Sequence, residues 1–245
     1  MSSCAMRSEA GLEAPTGFDA AAAAYEAWYA TPVGQLVDRL EKNAVFALIG
    51  EGPERMVLDL SCGTGNYALT LAQRGMRVVG VDISEPMLGA ARSKGSRAGL
   101  PVTFVRADAR ALPFRPGAFD LVTLILGLEF IAEPGRALAE AHRALKSGGR
   151  LVVAILNRDA PWTLWRRLKR LVVRSVWRNA SFLGAHELRD LLSALAFADL
   201  RCERAVHFVP LGSRWPVGWL GRWERVGARW LPASAAFLAV AARRR

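Results

Sequence analysis

The chain is poor in the residues that build metal sites and disulfide frameworks. It has three cysteines and three histidines in 245 residues. Cys4, Cys62 and Cys202 form no C-x-x-C pair and share no metal-ligand spacing with the histidines. No metal is therefore expected, and a reducing, cytoplasmic setting is. No apolar run is long enough to span a bilayer, and Arg7 is the only early basic residue, so neither a membrane-spanning helix nor a signal peptide is expected. Acids are also scarce, with 22 Asp and Glu against 33 Lys and Arg for a net charge of +11. That shortage is local. Residues 151–245 hold 17 basic and 6 acidic residues, so they alone carry +11, and they hold seven of the eight tryptophans. Residues 1–150 are close to neutral.

What is present is an alternating pattern. Apolar runs near 56–60, 77–81, 102–106, 119–125 and 150–155 read as strands. Helical segments at 66–74, 85–95 and 135–146 fall between them, and a helical region at 18–49 precedes them. This alternation predicts a parallel sheet with helices on both faces, in one domain of 18–245 behind a disordered 1–17. After 155 the pattern changes to a Trp/Arg-rich helix at 161–178 and a helix near 185–196. A strand near 201–209, a second Trp/Arg stretch at 214–231 and a last strand at 236–242 follow.

The most specific local signal is Asp59-Leu60-Ser61-Cys62-Gly63-Thr64-Gly65, which closes the first strand and opens a helix. Such a loop offers backbone N–H groups to a ligand at a strand's carboxyl end. Two readings compete. Gly63 to Ala68 fits the G-x-G-x-x-(G/A) dinucleotide fingerprint, with Asp82 placed 19 residues past Gly63 for a ribose. However, Asp59 lies within the strand, and a carboxylate there opposes a pyrophosphate and favours an ammonium or sulfonium. Asp108 adds a third acid, just past the third strand. Three acids at successive strand ends weigh for the cationic ligand.

These segments resemble the class I S-adenosylmethionine-dependent methyltransferases. Asp59 to Gly65 is similar to that family's first motif, with Ser61 where the first glycine usually stands. Val79-Gly80-Val81-Asp82-Ile83-Ser84 resembles the second, and Ala107-Asp108-Ala109-Arg110-Ala111-Leu112-Pro113-Phe114 the third. Phe119 to Val122 resembles the fourth strand, and Ala137 to Leu151 the helix and turn before the fifth, with Ser147 in place of a proline. The likeness is close over 18–157, the cofactor-binding core, and loose over 158–245, the substrate and lid elements. It implies a Rossmann-like three-layer α/β sandwich, with a mostly parallel seven-stranded sheet and an antiparallel edge strand. The cofactor it implies is S-adenosyl-L-methionine.

The resemblance also implies roles. Asp82 accepts from both ribose hydroxyls. Ile83 and Met87 pack on the adenine, Asp108 takes its amino group, and the Ala109 N–H meets a ring nitrogen. Asp59, Ser61, Gly63 and Gly65 hold the methionine part. Tyr25 lies over the cofactor and its ring attracts the sulfonium, although core packing explains Tyr25 and Trp28 equally well. Cys62 reads as a small buried filler, since no basic partner is at hand to lower its pKa.

Methyl transfer from a sulfonium needs alignment and exclusion of water more than acid–base machinery. Glu129, after the fourth strand, is the candidate catalytic residue at the substrate mouth, or a helix cap. His186 and His207 are the other candidate bases, and His142 reads as structural. No Asn/Asp-Pro-Pro-Tyr/Phe tetrapeptide and no Pro-Cys pair follows the fourth strand, which disfavours nucleic-acid bases as substrates. Leu128-Glu129-Phe130 with Asn157 to Arg167 resembles the ubiquinone/menaquinone methyltransferase subgroup. That resemblance implies a small lipophilic or aromatic acceptor, methylated on oxygen or carbon.

Trp162 to Arg178 reads as a basic amphipathic helix. Leu164, Trp165, Leu168, Leu171, Val172 and Val176 share one face, and five arginines share the other, as in a peripheral membrane contact, a lid or an ordinary surface helix. Trp215, Trp219 and Trp223 recur every four residues, a stripe expected to be core. The alternatives left open are an NAD-dependent oxidoreductase and a non-enzymatic basic module that binds membrane or RNA on a vestigial cofactor fold.

Overall fold

The computed structural model describes residues 22–50, 55–164, 180–208 and 217–245. Residues 1–17, most of the Trp162–Arg178 segment and Trp215 lie outside them.

The helical region expected at 18–49 is two helices, α1 (Ala22–Tyr29) and α2 (Pro32–Ile49). Thr31-Pro32 is a strong helix start that the apolar periodicity runs through. The Thr31 hydroxyl accepts from Gly34 N–H at 3.0 Å and donates to Trp28 C=O at 2.7 Å, and Pro32 occupies the first turn, where no N–H is needed. The turn is tight because residue 34 is glycine: a Cβ there would lie 2.1 Å from the Trp28 carbonyl oxygen.

Five strands follow with their helices: β1 (Met56–Leu60), α3 (Asn66–Gln73), β2 (Arg77–Asp82), α4 (Glu85–Arg97), β3 (Val102–Arg106), β4 (Phe119–Ile125), α5 (Pro134–Ala144) and β5 (Leu145–Leu156). After them come α6 (Ala185–Ala194), β6 (Phe197–Ala205), α7 (Val217–Trp230) and β7 (Phe237–Arg244). The expected strand at 150–155 begins earlier because Leu145 pairs with Phe119 before the register shifts and Leu121 pairs with Arg150. Gly148, at φ +74°, takes up the irregularity. The strand expected at 201–209 also begins and ends earlier, at Phe197 and Ala205, with a similar shift between Ala198 and Arg201.

The sheet order is β3-β2-β1-β4-β5-β7-β6. Pairing is parallel from β3 to β5, and β7 runs antiparallel to both β5 and β6. The antiparallel strand therefore lies one in from the edge. Successive residues of each central strand enter opposite cores. Val57, Leu121, Val152 and Ala239 join α2 and α3 on one face, while Leu58, Val122, Val153 and Val240 join α5 and α6 on the other. The helices thus cover both faces of a mostly parallel sheet, in three layers. Chain order reverses between β1 and β4, which opens a crevice at the strands' carboxyl ends.

Candidate cofactor and acceptor site

A cavity of about 420 Å³ occupies that crevice. Its floor comes from the strand ends: Asp59 and Ser61 to Thr64 after β1, Asp82 to Ser84 after β2, Ile125 to Gly127 after β4, and Leu156 at the end of β5. Tyr25, Trp28 and Tyr29 of α1, Met87 of α4, Phe130 and Trp162 close other sides.

Asp59 is buried inside β1 and its cross-strand neighbour on β4 is Thr123. The Thr123 hydroxyl donates to Asp59 Oδ1 at 2.6 Å. Oδ2 is buried and makes no hydrogen bond among the described residues. Burial pushes the Asp59 pKa up to about 7, against the Thr123 hydroxyl and the nearby Ala68 amide, which lower it; the Asp82 carboxylate raises it further. A desolvated carboxylate with an open oxygen suits a cationic group.

The loop after it is shaped by its small residues. Ser61 stands at φ +52°, in the left-handed region that glycine adopts without strain. Its side chain fits because residue 127 is glycine: a Cβ on Gly127 would lie 2.4 Å from Ser61 Cβ. Beside Gly63, at φ +53°, a Cβ would meet nothing within 4 Å, so its backbone borders open space. Gly65 plays a different part. It caps α3 at φ +80° and packs where a Cβ would meet Ala91 at 3.0 Å and the Phe104 ring at 3.2 Å. It is a packing glycine and does not line the cavity.

Asp82 ends β2 with its carboxylate fixed from two sides, Oδ2 by Gly63 N–H at 2.8 Å and Oδ1 by Ser84 N–H at 2.9 Å. Ile83 and buried Met87 line the cavity beside it. Asp108 and Ala109 do not line it. Asp108 is gripped by its neighbour Arg110, with the Nε at 3.0 and 3.1 Å, the Nη2 at 2.7 Å and the backbone N–H at 2.8 Å. Burial raises the Asp108 pKa, but the Arg110 contacts outweigh it and hold the group below its usual value.

Glu129 is not at the mouth. It is buried in a short 3-10 turn, Leu128–Phe130, and Oε1 accepts from Leu156 N–H at 2.5 Å, which ties the end of β5 to the turn. Burial pushes its pKa up to about 7. Its neighbours Gly127 and Phe130 line the cavity and Glu129 does not. Nor does it cap the next helix, the other expectation for it. The histidines stand apart as well. His142 packs edge-on against Phe197, His207 pairs with Ser234 at 3.2 Å, and His186 is exposed on α6. Cys62 does line the cavity, but burial and the carboxylates of Asp59 and Asp82 push its thiol up, away from a reactive thiolate.

Several residues that the motif reading passed over bear on the site. Tyr67, on α3, is buried with a hydroxyl that makes no hydrogen bond among the described residues, and Glu41 reaches the cavity from α2. Lys94 of α4 joins α1 to the loop: its Nζ donates to Glu26 at 2.9 Å, Thr64 at 3.2 Å and Asn66 at 2.7 Å. The Thr64 hydroxyl also donates to Glu26, at 2.5 Å. This network places Tyr25 and Trp28 over the cavity. No group of His, Cys, Asp and Glu among the described residues is arranged to hold a metal ion.

The residues present suit S-adenosylmethionine. Asp59 Oδ2 offers an acceptor to an ammonium, Asp82 offers a fixed carboxylate to a diol, and Gly63 leaves backbone space between them. Comparison with known proteins agrees. Residues 58–153 match the family model described as "Methyltransferase domain". The chain is 48% identical over 117 residues to a demethylmenaquinone methyltransferase of Thermus thermophilus, 47% of this chain and 53% of that one. The chain spans about half the length of the curated relatives it matches first. A Thermotoga maritima structure, titled a SAM-dependent methyltransferase and possible histamine N-methyltransferase, shares the fold at a TM-score of 0.73 and 24% identity, covering 93% of this chain and 98% of that one. Phosphoethanolamine N-methyltransferase 2 of Haemonchus contortus, solved with S-adenosyl-L-methionine, shares it at 0.70 and 20%, covering 92% and 57%. Residues 58–153 carry a methyltransferase domain, and the residues that line the cavity suit S-adenosylmethionine as its cofactor.

Proposed function

We propose that the protein transfers a methyl group from S-adenosylmethionine to a small lipophilic or aromatic acceptor, on oxygen or carbon. The carrying observation is the mixed lining of one cavity. Carboxylates and loop backbone (Asp59, Ser61 to Thr64, Asp82) come from the ends of β1 and β2, and Glu41 adds a carboxylate from α2. Aromatic and aliphatic side chains (Trp28, Tyr29, Phe130, Ile131, Trp162) make up most of the rest. An apolar wall with few polar groups selects an apolar ligand.

When bound, S-adenosylmethionine supplies a methyl group already activated by the sulfonium. Asp82 holds the ribose hydroxyls, its carboxylate prealigned by the Gly63 and Ser84 amides. Asp59 would hold the ammonium of the methionine part, Ile83 and Met87 would pack on the adenine, and Tyr25 would face the donor from α1. Asp108 and Ala109 lie beyond the lining, so their adenine contact requires Asp108 to share its carboxylate with Arg110. The chain's work is alignment and exclusion of water by α1 and Trp162. The buried, hydrogen-bonded Glu129 supports the turn, so an acceptor that must lose a proton finds a base elsewhere. Trp162, the first residue of the basic segment, lines this wall; the lid or membrane contact expected of that segment falls outside the described residues.

Calorimetry tests the cofactor assignment. S-adenosylhomocysteine binds, NAD does not, and Asp82→Ala weakens the binding by about tenfold or more, in line with loss of charge-assisted hydrogen bonds. Tight NAD binding alone would sink the reading. Methyl transfer from labelled cofactor to a panel of quinols, phenols and amines tests the acceptor, with a demethylmenaquinol analogue included because of the relatives' names. Activity on amines alone overturns the oxygen or carbon assignment.

A further inference from the structure

Trp219 and Trp223, two of the three tryptophans expected to form a core stripe, are on the surface. On α7, Trp219, Trp223, Val226 and Trp230 stand at i, i+4, i+7 and i+11, one line along the helix. Their exposures are 66%, 56%, 47% and 71%, and Leu231, just past the helix end, is 60% exposed. A neighbouring side, about a quarter-turn round the helix, is pinned to the fold. Leu220, Glu224 and Gly227 are buried there. Glu224 accepts from Val206 N–H at 2.9 Å and His207 N–H at 2.7 Å, and a Cβ on Gly227 would lie 2.3 Å from His207 Cβ. The helix cannot roll to bury its tryptophans without breaking those bonds. Arg222, Arg225 and Arg229 form an exposed third side next to the stripe, and the Arg229 guanidinium lies 5.4 Å from the Trp230 ring. Glu224, the single acid of α7, faces inward, so every charge the helix shows to solvent is positive.

A continuous row of large apolar side chains on a pinned helix marks a contact surface. Its charge narrows the occupant. A second copy docked stripe to stripe would bring two arginine rows together with no exposed acid on the helix to offset them. A nucleic acid suits arginines interleaved with stacking rings, whereas here the arginines keep to one flank and Val226 and Leu231 offer no ring. Tryptophans in a row beside arginines match the boundary between lipid headgroups and acyl chains.

We propose that this face of α7 seats the protein on an anionic lipid surface. Trp219, Trp223, Val226, Trp230 and Leu231 enter the headgroup–acyl boundary, and Arg222, Arg225 and Arg229 meet lipid phosphates. The surface lies on α7 and its end, and it needs neither the Trp162–Arg178 segment nor any particular acceptor.

Flotation of the full chain with vesicles tests it. The protein binds vesicles of equimolar phosphatidylcholine and phosphatidylglycerol, binds phosphatidylcholine alone at least about tenfold more weakly, and is released by salt. Arg222→Gln, Arg225→Gln and Arg229→Gln together lower partition about a hundredfold, on the order of fivefold for each arginine. Trp219→Ser, Trp223→Ser and Trp230→Ser together lower it more than about tenfold at any salt. Both variants keep the wild-type circular dichroism, a check that does not depend on methyl transfer. The proposal is overturned by wild-type protein that ignores anionic vesicles, by equal binding to neutral ones, or by unchanged partition of either variant. It is overturned too by a stable dimer that the tryptophan variant loses while vesicle binding is absent, or by RNA that displaces the vesicles through the same arginines.

Discussion

Asp59 is the residue on which the chemistry of the site turns, and its titration gives it a signature. Burial raises its folded-state pKa from 3.8 to about 7. A carboxyl whose pKa rises on folding favours the folded state most where both states are protonated. Its contribution is therefore full below about pH 4 and is lost as pH climbs through about 7. Glu129, raised to about 7 by burial, acts in the same direction. The ligand-free protein is expected to lose stability between pH 4 and 7 in denaturant titrations, and Asp59→Asn to flatten part of that slope. Cofactor binding runs the other way, because an ammonium is attracted to the ionised form. Affinity for S-adenosylhomocysteine is expected to fall as pH drops below about 7, and to lose that dependence in Asp59→Asn. An unchanged pH profile in the variant would place the cation elsewhere.

Ser61 and Gly127 make a second residue-scale case. A non-glycine residue in the left-handed region costs about 1 kcal/mol, and Ser61 Cβ occupies the space that a side chain on residue 127 would need. Ser61→Gly is expected to stabilise the protein by about 0.5 kcal/mol, the strain relieved less the entropy glycine adds to the unfolded chain. Gly127→Ala is expected to destabilise by about 1–3 kcal/mol through overpacking. In the double variant most of that cost disappears, since the opposing Cβ is gone. Urea unfolding of the four proteins gives the coupling; strict additivity would mean that the two positions do not share space.

At the scale of elements, α1 is held to the motif loop by the polar cluster of Glu26, Thr64, Asn66 and Lys94. Glu26 and Lys94 are partly exposed, so the pair is worth about 1 kcal/mol or less to global stability. Its local effect is larger, because α1 has few other anchors. Lys94→Met is expected to leave the unfolding midpoint nearly unchanged while amide exchange speeds up in Ala22–Tyr29. Cofactor affinity should weaken several-fold, since Tyr25 and Trp28 lose their placement. Equal exchange in α1 of both proteins would show that the helix is held by packing alone.

For the molecule as a whole, the parallel core was legible because it is repetitive and local. Each strand reads as an apolar run, and the acids Asp59 and Asp82 mark where the first two strands end. The parts that were not legible depend on distance or on a competing local signal. The break between α1 and α2 was hidden because the apolar residues keep helical spacing across Thr31-Pro32. Glu129 was expected at the mouth from its position after β4, yet its direction is set by Leu156, 27 residues on. Asp108 follows its strand as expected, but Arg110 two residues later turns its carboxylate aside. Tyr67, Glu41 and Lys94 carry no motif; only the fold brings Tyr67 and Glu41 to the cavity and Lys94 to the cluster that holds α1. The α7 tryptophans had the period of a buried stripe. Their period fixed that they share a face, but Glu224 and Gly227 decide which face turns inward.

The bonds of Lys94 have a consequence in time. One ammonium holds α1 through Glu26 and the ligand loop through Thr64 and Asn66, so whatever stiffens the loop also stiffens α1. Linkage then makes the effect mutual, and a seated donor is expected to steady the wall that an acceptor meets. Turnover is expected to follow a compulsory order, donor first, with S-adenosylhomocysteine leaving last. Product inhibition patterns would reveal this: competitive against the donor and noncompetitive against the acceptor. In the Lys94→Met protein, where the two elements are uncoupled, the order should relax toward random.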